Sequence, residues 1–196
     1  MNNRIFRRSC AACIALAFTV LTPLAQAADQ AKVLRLSTST AETSYDNAFA
    51  SDESSQTITE RINEPMLEYH YLARPAKLVP RTLEALPAIS DNGATFLCKL
   101  QKGVFFADDT AFQGKPRELT AADYAYSLKR LLDPAVKSPW LFLVEGKIIG
   151  GDEARAAAAK TGKFDYDTPM PGLEVVDRYT LRIRNAQGPR LPLLQI

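Results

Sequence analysis

The sequence contains very little histidine and cysteine, the residues on which most metal centres and many catalytic sites depend. Its 196 residues include one histidine and three cysteines, two of which, Cys10 and Cys13, lie in a cleavable N-terminal segment. Cys98 then has no partner for an internal disulfide, so the fold must rest on packing. His70 has no second histidine to join it, so we expect a structural or surface role and no metal or other cofactor.

An excess of charge of one sign is also missing. The chain has 24 lysines and arginines against 22 aspartates and glutamates, and removing the three arginines of residues 1–27 leaves 21 basic residues against 22 acidic ones. This balance provides no basic surface for nucleic acid, which is not expected as a partner. The sequence also lacks the short motifs of nucleotide-binding loops, zinc proteases and serine hydrolases, and no catalytic residues are expected.

No apolar run reaches the ~20 residues that cross a bilayer. The most apolar stretch, residues 11–21, follows three arginines and precedes an Ala-Gln-Ala sequence at 25–27. A positive start, a short apolar stretch and a small-residue cleavage motif are typical of a secretory signal peptide. We therefore expect residues 1–27 to be removed on export.

Two β-hairpins are predicted from strand patterns that flank turn residues. The first spans residues 83–100 and turns at 90–93, because its Asn-Gly pair accepts the positive φ of tight turns. Its second strand places Cys98 on an apolar face, where it would be a small buried hydrophobe. The second hairpin spans residues 173–184. Together they indicate an antiparallel sheet.

Three helices are predicted around these hairpins. Apolar residues recur at four-residue spacing over 58–66, after a polar loop. Residues 120–132 begin with a threonine N-cap and carry one apolar stripe, which we expect to pack on the sheet of the first hairpin. The lysine and arginine of that helix are expected to form a solvated face. An alanine-rich helix is predicted at 152–160, and residues 33–37 alternate as a strand, so the fold class is α+β.

Two sequence blocks at a fixed separation resemble those of a known family. The first, residues 78–112, contains the hairpin signals followed by Lys-Gly-Val and Asp-Asp-Thr. The second, residues 119–134, runs from Leu-Thr-Ala-Ala-Asp-Tyr to Asp-Pro, and further family-like segments follow at 149–153 and 175–181. The chain thus resembles the periplasmic solute-binding proteins of peptide-type ABC importers (family 5), which include the oligopeptide- and dipeptide-binding proteins.

The resemblance implies a domain organisation. Family members have the two-lobed periplasmic-binding-protein fold (class II, cluster C type), and one lobe contains an inserted small subdomain. By that pattern residues 28–63 form the first segment of the main lobe, and residues 64–184 form the inserted α+β subdomain. Residues 185–196, which interrupt the last strand, are expected to be an atypical tail of a truncated or frame-shifted product or a fragment.

The resemblance also implies a function and a site. Family members capture peptides or similar solutes, act as monomers and deliver the ligand to the membrane permease of an ABC importer. The loop that pairs with the peptide backbone falls on Ser51, Asp52 and Glu53, and an aromatic residue near the ligand falls on Trp140. The alternatives are a solvated polar loop for the first three and a packing role for Trp140. The ligand stays open among oligopeptides, dipeptides, nickel complexes, haem and opines.

Two other functions stay open from the sequence. A secreted hydrolase would use acidic residues such as Asp108 and Asp109, although adjacent turn positions rarely converge on one bond and a turn is expected there. A non-functional remnant would share the ancestry of the binding proteins and lack their activity.

We predict that the mature chain begins at Ala28, since the cleavage motif ends at Ala27. N-terminal sequencing of the exported protein checks this. A start at Met1 or a lipid on Cys13 would contradict it.

Overall fold

The computed structural model describes residues 33, 35, 37 and 40–186. The predicted signal peptide, much of the predicted strand at 33–37 and the tail from residue 187 onward lie outside the described residues. The chain divides into two compact units, Met1–Ser37 and Thr38–Ile196, and the elements below belong to the second. Among the described residues no helix is long and apolar enough to cross a membrane.

The described part of the second unit contains both helices and short strands, in agreement with the predicted mixed class. The helices are α1 (Glu53–Ile62), α2 (Ala121–Leu132) and α3 (Gly151–Thr161), and the strands are β1 (Leu67–Tyr69), β2 (Leu78–Pro80), β3 (Ala88–Ser90), β4 (Thr95–Lys99), β5 (Leu173–Asp177) and β6 (Thr180–Arg184).

Both predicted hairpins form, and they join into one sheet. The four strands are antiparallel in the order β3-β4-β6-β5, while β1 and β2 pair separately. The first turn contains Asp91, Asn92 and Gly93, all with positive φ, which confirms the Asn-Gly prediction. The first strand of that hairpin is shorter than predicted, and Leu83 pairs with Leu100 only as an isolated bridge.

The apolar core lies between α2 and this sheet, as predicted. α2 packs against β5 and β6, and α3 packs against α2. The apolar members of α2 and the facing residues of β4 and β6 are buried together: Ala121, Ala125, Leu128, Leu131, Leu132, Phe96, Cys98, Leu181 and Ile183. The sequence stripe of α2 is therefore the surface on which the unit is built.

Cys98 is the buried hydrophobe that its strand pattern predicts. Its side chain has no exposed surface. Burial raises the pKa of the thiol to about 12, because the surrounding apolar groups disfavour the thiolate. The thiol is therefore protonated and unreactive in the folded protein.

The prediction for the first helix was wrong in its position and in its buried face. α1 begins at Glu53, within the predicted loop, and ends before Met66. Its buried residues are polar, among them Ser55, while Ile62 is 63% exposed. The helix starts early because the Asp52 carboxylate accepts the Ser55 N–H at 2.8 Å and caps it.

The charged residues of α2 do not form the predicted solvated face. Lys129 is 8% exposed, and its Nζ donates to the carbonyls of Tyr166 and Thr168 at 2.7 and 2.9 Å. Arg130 forms an ion pair with Asp46. Long side chains can reach loops on both sides of a buried helix, which local periodicity does not show.

Leu128→Ala should lower the free energy of unfolding by ~2–5 kcal/mol, because Leu128 is 6% exposed and its removal leaves a cavity in the core. Denaturant unfolding measures this. The matched control is Leu72→Ala, at a leucine that is 75% exposed, which should change the free energy by less than about 0.5 kcal/mol. Equal effects of the two substitutions would contradict the assigned core.

Candidate functional site

The structure brings together the two sequence-predicted site segments. The indole Nε1 of Trp140 donates to the carbonyl of Ala50 at 2.9 Å, and Ala50 immediately precedes Ser51. Trp140 is half-buried and packs against the core, with its ring centroid 6.2 Å from that of Phe142. Its N–H is already bonded, so Trp140 has its ring face to offer a ligand.

Asp52 is engaged in local hydrogen bonds. Its carboxylate accepts the Ser55 N–H and the hydroxyl hydrogen of Thr43. Hydrogen bonds from Ser55 and then Thr43 hold the pKa of Asp52 below its usual range, so the group is ionised. The carboxylate therefore fixes the start of α1 and is not free to pair with a ligand.

The neighbours of Asp52 are more available. Ser51 and Glu53 are exposed, and their side chains make no hydrogen bond within residues 40–186. The backbone N–H groups of Ser51 and Glu53 likewise have no acceptor among the described residues, whereas that of Asp52 bonds its own carboxylate. This loop consequently presents backbone donors, which suit a ligand with carbonyl oxygens.

Buried Ser55, in the first turn of α1, helps to hold the residues that pack beside the loop. Ser55 is fully buried, and its Oγ accepts the backbone N–H groups of Thr43 and Ser44 at 2.9 and 3.2 Å. The Ser54 hydroxyl donates to the Thr40 carbonyl at 2.9 Å. Sequence reasoning missed this cluster, although an aspartate placed before a polar helical stretch is an N-cap signal that would have located the start of α1.

The turn that leads into the loop is held by an arginine of α2. Arg130 Nη1 and Nη2 donate to Asp46 Oδ1 and Oδ2 at 2.8 and 2.5 Å. These bonds lower the pKa of the Asp46 carboxyl. The Asp46 carbonyl in turn accepts the N–H groups of Phe49 and Ala50. The two charged residues are 84 positions apart, so no local pattern pairs them.

The acidic pair at Asp108 and Asp109, predicted to lie in a turn, directly precedes a short 3₁₀ turn over Thr110–Phe112. The Asp109 carboxylate accepts the Ala111 N–H at 2.8 Å and caps a short 3₁₀ turn. His70 is exposed, and its Nδ1 accepts the Leu72 N–H. Within the described part of the chain, no group of three or more His, Cys, Asp or Glu residues is arranged to hold a metal ion.

Comparison with known proteins gives a family and a fold. Residues 77–195 match the model for bacterial extracellular solute-binding proteins, family 5 Middle. The pheromone receptor PrgZ, from a structure describing its mode of peptide binding, is 25% identical, with a TM-score of 0.59 over 79% of this chain and 27% of that one. The Escherichia coli murein tripeptide binding protein MppA is 25% identical, with a TM-score of 0.54 over 78% and 26%.

Other solved structures show the same fold at lower identity. Listeria monocytogenes OppA bound to peptide is 23% identical, with a TM-score of 0.55 over 75% of this chain and 25% of that one. The chain thus spans about a quarter of the length of the structures that it matches. A search of the curated proteins found no match.

Ser55→Ala should lower the free energy of unfolding by ~1–3 kcal/mol, because it leaves the N–H groups of Thr43 and Ser44 without their acceptor. Chemical denaturation measures the loss. The same substitution at exposed Ser51, whose hydroxyl has no partner within residues 40–186, is the control and should be nearly neutral. A neutral result at Ser55 would show that its hydroxyl does not hold this segment.

Proposed function

The chain belongs to the bacterial extracellular solute-binding proteins of family 5, and we propose that it captures peptides or similar solutes in the periplasm and delivers them to the membrane permease of an ABC importer. The observation that carries the proposal is the hydrogen bond between Trp140 and Ala50, which places an aromatic face beside a loop whose Ser51 and Glu53 N–H groups have no acceptor within residues 40–186. Solved relatives described with bound peptide support the class of ligand.

In the proposed mechanism the ligand backbone pairs with the backbone at residues 51–53, where the chain enters α1, in the manner of an added strand. The N–H groups of Ser51 and Glu53 donate to peptide carbonyls, and the ring of Trp140 packs against a ligand side chain. Recognition through backbone groups does not depend on side-chain identity, so peptides of different sequence can bind. Asp52 acts here as the cap of α1, since its carboxylate accepts the Ser55 N–H.

The domain boundaries predicted from the family pattern fit the proposal. Residues 28–63 would supply the first part of the main lobe, and residues 64–184 the inserted subdomain that holds Trp140. Packing continues slightly past the second boundary, because Asn185 is 4% exposed and bridges to Ile148. The tail proposed for 185–196 therefore starts inside the packed unit.

Capture in this mechanism uses closure of two lobes and no covalent chemistry. Within residues 40–186 the site offers one wall, made of the 51–53 loop and Trp140. A peptide on that wall keeps water on its opposite side, and water competes for its remaining backbone groups. Affinity should therefore be low until a second wall encloses the ligand.

We expect residues 28–196 by themselves to bind peptides with a dissociation constant no lower than millimolar, which corresponds to a binding free energy of about −4 kcal/mol. Isothermal titration with a mixture of di- to pentapeptides checks this. A micromolar constant would show that the site is complete within these residues.

The emission of Trp140, the one tryptophan of the chain, provides the companion measurement. Millimolar peptide should shift it saturably, while an equal concentration of free glycine, which has no peptide backbone, should not. An unchanged spectrum up to the solubility limit of the peptides would contradict the peptide-binding proposal and favour a remnant without activity.

A further inference from the structure

Two side chains from outside the loop hold both ends of the turn that precedes it. The turn runs from Asp46 to Ala50, and the Asp46 carbonyl closes it by accepting the Phe49 and Ala50 N–H groups at 2.9 and 2.8 Å. Arg130 binds the Asp46 carboxylate at one end, and Trp140 binds the Ala50 carbonyl at the other. Ser51 follows directly, so the position of the turn sets the position of the 51–53 loop.

The ion pair between Arg130 and Asp46 has a geometry that fixes the orientation of the two groups as well as attracting them. Two parallel N–H···O bonds between a planar guanidinium and a carboxylate fix both groups in one plane. The Arg130 side chain is 30% exposed and that of Asp46 40% exposed, so solvent screens the pair in part. We therefore expect this ion pair mainly to fix the position of the 46–50 turn and to contribute little to the free energy of unfolding.

The helix that carries Arg130 is itself held in place near its C-terminus. The ring of Tyr126 packs on that of Tyr166 at a tilt of 39° with centroids 4.9 Å apart, and the Tyr166 hydroxyl donates to Asp133 Oδ2 at 2.7 Å. The preceding residue, Lys129, binds the Tyr166 carbonyl. Arg130 thus projects from a helix whose C-terminal half is fastened on both sides.

We infer that Arg130 is a positioning residue of the peptide site: through Asp46, and together with the Trp140 bond to Ala50, it fixes the 51–53 loop where a ligand would bind. The inference rests on the proposed function for the meaning of that loop. It assigns α2 a task beyond the core, since its Arg130 holds one end of the turn that precedes the loop.

The test compares Arg130→Gln and Asp46→Asn with Arg182→Gln in the same chain. Arg182 is a matched control, because its side chain is also 30% exposed and pairs with Glu174 at 2.8 Å on the sheet, far along the chain from the loop. The first two variants should accelerate amide hydrogen exchange at Phe49 and Ala50 about fivefold and shift Trp140 emission to longer wavelength. Arg182→Gln should do neither.

Rescue separates positioning from a general loss of stability. Combining Asp46→Arg with Arg130→Asp restores an ion pair and should return exchange at Phe49 and Ala50 toward the original rate. The return will be partial, because an aspartate near the C-terminus of a helix opposes its dipole. Unchanged exchange in Arg130→Gln, or no recovery in the double variant, would overturn the inference.

A peptide titration distinguishes this failure from that of the proposed function. Trialanine is added to the original chain and to Arg130→Gln, and Trp140 emission is followed. A response in the original chain that weakens several-fold in the variant supports both proposals. No response in the original chain overturns peptide binding while the exchange data still decide the role of Arg130. An equal response in both chains overturns the positioning role.

Discussion

The burial of one face of α2 against the four-stranded sheet is the contact on which the other features depend. It joins the two hairpins into one core, and it also determines where the polar residues of the helix point. With Leu128 and Leu132 directed into the core, Lys129 reaches the carbonyls of the 166–168 segment and Arg130 reaches Asp46. Burial of the apolar face of α2 has no directional preference of its own, but it fixes the rotation of the helix about its axis. That rotation places Lys129 and Arg130 where their hydrogen bonds, which depend on direction, can form.

The candidate site follows from this arrangement and uses few side chains. Its polar part is the backbone of residues 51–53, whose conformation is set by the Asp52 cap and the buried Ser55 hydroxyl. Its apolar part is the face of Trp140, whose N–H is used to hold Ala50. The groups that hold the loop, including the Trp140 N–H, are therefore different from the groups that would meet a ligand, and they are bonded before any ligand arrives. Such preorganisation limits the ordering cost of binding.

Local sequence patterns predicted the elements whose buried faces are apolar. The Asn-Gly turn, the stripe of α2 and the alanine-rich stretch of α3 each act within a few residues, and each is where its pattern predicts. α1 was misplaced because its buried residues are Ser54, Ser55 and Thr59, which a search for apolar periodicity does not detect. The pairs that assemble the site, Arg130 with Asp46 and Trp140 with Ala50, join residues 84 and 90 positions apart. The region of Trp140 and Ala50 was identified as a candidate site only through the family resemblance.

The burial of Cys98 matters for how such a chain would fare outside the cytoplasm. A free thiol in an oxidising compartment can cross-link two molecules, and burial in the core keeps Cys98, the free thiol among the described residues, protonated and unreactive. Protection therefore begins when β4 is covered and is absent while the chain is still unfolded after translocation. Slow folding would then allow Cys98 of two molecules to form a disulfide. The resulting covalent dimers would persist after folding conditions improve.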